Sequence, residues 1–359
     1  MNRFERQQIL PEMGQEGQDR LHQSSILIIG AGGLGCPAIS YLAAAGVGRL
    51  GIVDGDKVSV SNLNRQTLFG QANLGQNKAM AAAEHIRHQY PDLLVKAHPL
   101  FLDNHNAAQL LGDYDLIIDG SDNIGTRYLL SDACFLLGRP LVYGAIYQYE
   151  GQLTVFENKP DSITYRDMYP MMPSPDEIPS CASAGVLGVL PGIIGSMQAA
   201  EAIKFICKIG TPLIGQLLYY NLKDHSTRLL KLSHHPKAEQ NRPTNVTEMQ
   251  NQNYQLNCQN NLEIDWTSAF KLADAFPSLF IDLRHPQPDQ PEIPEAYACV
   301  TVSDLNGHLD KLNQYRYLFV FCYHGISSRP VAQSLRQNYN HLNSFSISGG
   351  HETLLNTRK

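Results

Sequence analysis

The sequence has no excess of basic charge, no long apolar run and no cysteine framework, and each absence narrows what the chain can be. Lysine and arginine total 28 against 34 acidic residues, for a net charge of -6 and a pI near 6.1. That balance offers no electrostatic footprint for nucleic acid. The opening residues, MNRFERQQILPEMGQEG, hold no apolar stretch of the kind a secretion signal needs. The most apolar tract, Gly185 to Ile194, is interrupted by Gly188, Pro191 and Gly192 and is too short to cross a bilayer. The expectation is therefore a cytoplasmic protein with no nucleic-acid or membrane partner. Seven cysteines, an odd number without regular spacing, favour free thiols over disulfides. With 359 residues, 43% hydrophobic and 17% charged, there is enough chain and enough apolar surface for two domains with real cores.

What is present is organised around residues 24–35, SSILIIGAGGLG. Ile26 to Ile29 read as a buried parallel strand. Glycines in GxGxxG spacing follow, with Gly30, Gly32 and Gly33 nearest the strand, and a helix over 36–46 comes next. Strand, glycine turn and helix start bring bare backbone N–H groups and the positive end of a helix to one point, which is where phosphate binds. Asp54, at the end of a second strand, is placed to accept hydrogen bonds from ribose hydroxyls.

The elements then alternate. A helix over 76–90, a strand near 93–97, a strand ending at Asp119, a helix over 123–138 and a strand over 140–146 predict a Rossmann-like, doubly wound α/β sheet. Polar clusters fall at its strand ends: Asp54-Gly55-Asp56, then Ser61 to Gln66 with Lys78 beyond, then Asp119 to Asn123 with Arg127. Together these clusters supply two cations, Arg65 and Lys78, with two or three carboxylates and amides, which suit a triphosphate and Mg2+ better than a nicotinamide. Arg3 and Arg6 read simply as charges on a surface helix.

Further strands are expected at 152–156, 216–222 and 227–232, with a long surface loop from Tyr165 to Ile178 and a helix from Pro191 to Lys208. Cys181 falls in a loop ahead of that helix, whereas Cys36, Cys134 and Cys207 lie on helices and read as packing thiols. Twelve of the 22 residues from Gln240 to Asn261 are Asn or Gln, so 233–261 reads as a flexible linker. Residues 262–359 read as a second, smaller α/β unit. In it Cys322 ends a strand and precedes a glycine loop and a helix start, a geometry that favours thiolate.

At this point the residues resemble known families. GAGGLG, Asp54, SNLNRQ, Lys78, DGSDNIGTRYLLSDAC, PLVYGAI and EGQLTVFE resemble the MoeB/ThiF/HesA adenylyltransferases over about residues 3–232. The tail, with IDLR at 281–284, the CYHGISS loop and ISGG at 347–350, resembles a rhodanese domain. The resemblance implies that ATP adenylates the C-terminal Gly-Gly carboxylate of a ubiquitin-like sulfur-carrier protein, and that sulfur is then delivered to give a thiocarboxylate. It implies phosphate contacts from Asn62, Arg65 and Lys78, Mg2+ on Asp122 beside Asn123, and Arg6 donated across a homodimer. It also implies a conjugating or resolving role for Cys181 and a persulfide on Cys322, loaded by a donor such as a cysteine desulfurase. Two departures stand out. The family usually binds a structural zinc through two CxxC pairs, but Thr164 and Asp167 occupy the first pair's positions and no cysteine lies between Cys207 and Cys258, so no zinc is expected. Ser327 stands where many rhodaneses carry arginine. An NAD-dependent oxidoreductase, which leaves Arg65, Lys78 and Asp122 without a task, and a non-enzymatic nucleotide-binding module are the alternatives on the same fold.

Overall fold

The computed structural model describes residues 3–173, 185–254, 262–284, 293–294, 298–301, 312, 314–325, 327–338 and 343–357. The chain divides into two compact units, Met1–Leu256 and Asn257–Lys359.

The first unit is built on an eight-stranded sheet. Its strands are β1 (Ser25–Ile29), β2 (Arg49–Val53), β3 (Leu94–His98), β4 (Leu116–Asp119), β5 (Leu141–Tyr147), β6 (Glu150–Phe156), β7 (Gln216–Asn221) and β8 (Thr227–Lys231), in the order β3-β2-β1-β4-β5-β6-β7-β8. The first five run parallel, and β6 to β8 are added antiparallel. Every residue of β1 is buried because helices cover both faces. The period of two along the strand sorts it: Ile26 and Ile28 join one core, Leu27 and Ile29 the other. Beyond the short α1 (Glu5–Gln8), the first core takes helices α2 (Gly14–Gln23), α3 (Gly35–Ala45), α4 (Lys78–Gln89) and a 19-residue helix, Val189–Cys207. The second takes α5 (Ala107–Gly112) and α6 (Ile124–Leu137). Among the described residues Val189–Cys207 alone has the length and apolarity of a membrane span, yet Leu190, Ile194, Gln198, Ala199 and Ala202 are buried within the unit. The chain order reverses at β1, which pairs with β2 on one side and β4 on the other, so the crevice opens at the carboxyl ends of β1 and β4.

Two readings of the sequence are corrected. Residues 233–261 do not all form a flexible linker: helices Pro236–Asn241 and Val246–Asn251 belong to the first unit, with Ala238, Met249 and Tyr254 buried. Three apolar anchors at wide spacing hold a polar stretch that composition alone marks as coil. Nor is 165–178 a surface loop from its first residue, because Tyr165–Met168 is a helical turn whose Tyr165 and Arg166 side chains are buried.

The second unit is a five-stranded parallel sheet of β9 (Glu263–Ile264), β10 (Ser278–Asp282), β11 (Cys299–Thr301), β12 (Tyr317–Phe321) and β13 (Asn343–Ile347), ordered β11-β10-β12-β13-β9. Leu279, Ile281, Leu318 and Val320 face one small core, and Phe280, Phe319 and Phe321 face the other around Trp266.

Candidate active site

The turn after β1 shows why glycine is needed there. Gly30 has φ +94°, and a Cβ on it would lie 2.8 Å from the Gly120 carbonyl oxygen at the end of β4. Its N–H donates to the Val53 carbonyl at 2.7 Å. The neighbouring strand ends are therefore locked together by the turn itself. A Cβ on Gly32 would make only ordinary contacts, 3.9 Å from Gln66 Nε2 and 4.0 Å from the Gly120 carbonyl oxygen. Gly33 lies against Pro191 and the stem of Arg65.

Asp54, at the end of β2, holds this turn from the side. Its Oδ2 accepts the Ala31 N–H at 2.8 Å and its Oδ1 accepts the Asp56 N–H at 2.9 Å. Burial pushes the Asp54 carboxyl up, while the two N–H groups and Lys78 draw it back. Lys78, the first residue of α4, places Nζ 3.1 Å from Asp56 Oδ2, with its side chain only 9% exposed. Asn77 caps that helix by accepting the Met80 N–H. Arg65 donates from Nη1 to the Ser61 carbonyl at 2.9 Å and to Asn64 Oδ1 at 3.0 Å. Asn62 spends its Oδ1 on the Ser59 N–H of its own turn.

Beyond β4, Asp122 is exposed, and Asn123 caps α6 by accepting the Thr126 N–H at 3.2 Å. The more deeply held carboxylate is the one that opens this polar cluster, to which the sequence assigned no separate role. Asp119 is 1% exposed, and its Oδ1 accepts both the N–H and the hydroxyl of Ser121, while its Oδ2 has no hydrogen-bond partner. Burial pushes this carboxyl up and Arg127 opposes the shift. Arg127 in turn donates to the Ser121 carbonyl at 3.2 Å. Asp119 and Arg127 thus frame the loop that carries Asp122. Gln198 was missed altogether: from the helix Val189–Cys207 it donates to the Asp119 carbonyl at 2.6 Å.

The structure therefore gathers Gly30, Gly32, Gly33, Asp54, Arg65 and Lys78 around one turn, with Asp122 and Asn123 at the adjoining strand end. Arg6 is exposed on the short helix Glu5–Gln8, and among the described residues it makes no bond to this group. Cys181 lies outside the described residues. Cys36, Cys134 and Cys207 are buried, and burial raises all three thiols, Cys36 to about 12, as packing thiols require.

Cys322 differs from them. It is 7% exposed at the end of β12, and its Sγ lies 3.5 Å from the Ser328 hydroxyl. That hydroxyl is 2.8 Å from the Ser346 hydroxyl. Burial alone would raise the thiol, but the Ser328 hydroxyl and the N–H groups of Ser328, His324 and Ser327 outweigh it, so the pKa falls below its ordinary 9.0.

A glycine turn, a ribose-type carboxylate and two cations at the switch point of a doubly wound sheet form the architecture of the Rossmann-like nucleotide-binding proteins. Residues 4–242 match the ThiF family, and the chain belongs to it. It is 47% identical over 242 residues to the sulfur carrier protein adenylyltransferase of Thermus thermophilus, covering 66% of this chain and 89% of that one. It is 47% identical over 239 residues to the probable adenylyltransferase/sulfurtransferase MoeZ of Mycobacterium tuberculosis, covering 66% of this chain and 61% of that one, less than two thirds of its length. The SAMP-activating enzyme E1 of Haloferax volcanii is 46% identical over 224 residues, with 62% and 82% covered. A crystal structure of E. coli MccB with ATP has a TM-score of 0.58 at 18% identity, covering 66% of this chain and 73% of that chain, a likeness of fold.

Proposed function

We propose that this chain adenylates the C-terminal Gly-Gly carboxylate of a ubiquitin-like sulfur-carrier protein at the expense of ATP, and then transfers sulfur to it. The observation that carries the reading is the Asp54–Ala31 bond beside Lys78 and Arg65, found in a ThiF-family chain close to a sulfur-carrier adenylyltransferase. In this reading the Gly30–Gly33 backbone and the positive end of α3 take the phosphates, and the carboxylate of Asp54 takes the ribose hydroxyls. Asn62, Arg65 and Lys78 neutralise charge on the phosphate oxygens, and Arg6 reaches the site from the other protomer of a homodimer. The exposed Asp122 carboxylate suits a hard cation; Mg2+ bound there with ATP would supply further charge neutralisation.

A carboxylate oxygen of the carrier attacks the α-phosphorus, the bond to the β-phosphate oxygen breaks, and pyrophosphate leaves. Positioning and charge compensation do most of this work. The terminal sulfur of a Cys322 persulfide, supplied by a donor such as a cysteine desulfurase, then attacks the acyl carbon, and AMP leaves. A thiol, assigned to Cys181, cleaves the resulting acyl disulfide, which releases the thiocarboxylate and leaves a disulfide that an external dithiol reduces to restore both cysteines. The rhodanese-like part of this scheme draws on the thiolate-favouring cradle of Cys322.

Intact mass spectrometry of a candidate carrier after incubation with the protein, ATP and a sulfur donor tests the proposal. The expected product is the carrier with one carboxylate oxygen exchanged for sulfur. A carrier left unmodified, with ATP hydrolysed or untouched, rejects it.

A further inference from the structure

The zinc that the family resemblance implies does not fit the residues this chain supplies. Positions 164 and 167 offer a hydroxyl and one carboxylate in place of two thiolates, and no group of three or more His, Cys, Asp or Glu among the described residues is arranged to hold a metal. What these two residues do instead is specific. The Asp167 side chain is 3% exposed, and both of its oxygens are engaged. Oδ2 accepts the backbone N–H of Thr164 at 2.8 Å and its hydroxyl at 2.9 Å. Oδ1 accepts the backbone N–H of His235 at 2.9 Å and lies 3.3 Å from His234 Nδ1. The other ring nitrogen of His234 is 3.0 Å from the Asp161 carbonyl oxygen. One buried carboxylate thus joins two segments 68 residues apart.

The chemistry explains why a single aspartate suffices. Burying a carboxylate costs free energy that hydrogen bonds to its oxygens offset, and bonds to an ionised acceptor are the strong ones. Donors arrive from both segments, so neither segment can leave without stranding the charge. The same turn is tied a second time. Arg166 makes a two-pronged pair with Asp132 at 2.7 and 2.6 Å, and Tyr254 donates to Asp132 at 2.7 Å. Asn241 donates to the Pro170 carbonyl at 2.9 Å. Asp167 therefore fixes the start of the returning segment and Asp132 fixes its end.

We propose that Asp167 is a metal-independent cross-link that takes the place of the family's zinc, clamping the Thr164–Met168 turn to the chain that follows β8. The clasp holds residues 236–254 on the first unit without thiolates, and it is indifferent to chelators.

The full-length protein, expressed in zinc-replete medium, tests this without any assay of activity. Metal analysis should find zinc far below one atom per chain, and a strong chelator should leave Tm unchanged. Asp167→Ala should lower Tm by roughly 5 °C, with no recovery on adding zinc. Asp167→Asn keeps one acceptor, so it serves as the variant that folds; its His235 amide should exchange with deuterium faster than in the parent, while amides of β1 exchange as before. Near-stoichiometric zinc whose removal lowers Tm would overturn the proposal. So would an unchanged Tm in Asp167→Ala together with unchanged exchange at His235 in Asp167→Asn.

Discussion

The carboxylate of Asp54 accepts the backbone N–H of Ala31 at 2.8 Å, across 23 residues of sequence, and by that bond one acidic side chain sets the shape of the glycine turn. Its other oxygen is held by Asp56, whose own carboxylate pairs with Lys78. Ribose, phosphate and turn are therefore coupled through Asp54 in the proposed site. Asp54→Ala should lose both the turn support and the ribose contact, and raise the Kd for ATP by about 100-fold, on the order of 3 kcal/mol. Isothermal titration with ATP measures it. A loss below threefold contradicts the assigned role.

Lys78 and Arg65 are expected to act on the transition state more than on ground-state binding. Replacing either with alanine should lower kcat for adenylation by about 100- to 1000-fold, with a smaller change in the Kd for ATP. Lys78→Ala also frees Asp56, which is 58% exposed on its side chain, so little stability should be lost. Steady-state kinetics beside a thermal melt separates the two effects.

The Cys322 thiol has a definite pH signature. Its pKa lies below the ordinary 9.0 in the folded chain because the Ser328 hydroxyl and the loop N–H groups favour thiolate against the effect of burial. Alkylation should therefore become fast at a lower pH than for an unstructured thiol, rising as pH climbs through the depressed pKa. The stability gained from this group is present above the unfolded thiol's pKa and is lost as pH falls through the folded value. Ser328→Ala should move the alkylation midpoint to higher pH. A midpoint that does not move assigns the shift to the backbone alone. Cys322→Ser should abolish persulfide loading while adenylation persists.

How much of this was legible in the sequence depends on the range of the interaction. Gly30, Gly32 and Asp54 are readable because a strand, a turn and a second strand fix their relative places within 25 residues. Asp119 was readable as a member of a strand-end polar cluster, but not its burial at β4 or its tie to Gln198, 79 residues away. The Asn/Gln-rich stretch misled for the opposite reason. Its composition is that of a coil, but Ala238, Met249 and Tyr254 bury themselves, and Tyr254 finds Asp132 across 122 residues. No local pattern announces such a contact.

The Asp132–Arg166 pair gives a stability prediction of its own. Both side chains are at most 4% exposed, so removing one partner strands a buried charge. Arg166→Met should destabilise the first unit by about 3–5 kcal/mol. Asp132→Asn added to it should restore part of the loss, since the stranded charge is gone. Denaturant melts of the single and double variants measure the coupling. Strictly additive losses contradict the account.

The central claim is adenylation of a carrier's C-terminus, and ATP–pyrophosphate exchange tests it most directly. Purified protein is mixed with ATP, Mg2+ and labelled pyrophosphate, with and without carriers ending in Gly-Gly. The account predicts exchange that needs one such carrier, vanishes when its terminal glycine is removed, and survives replacement of Cys322. Tight ATP binding with no exchange for any carrier would contradict it.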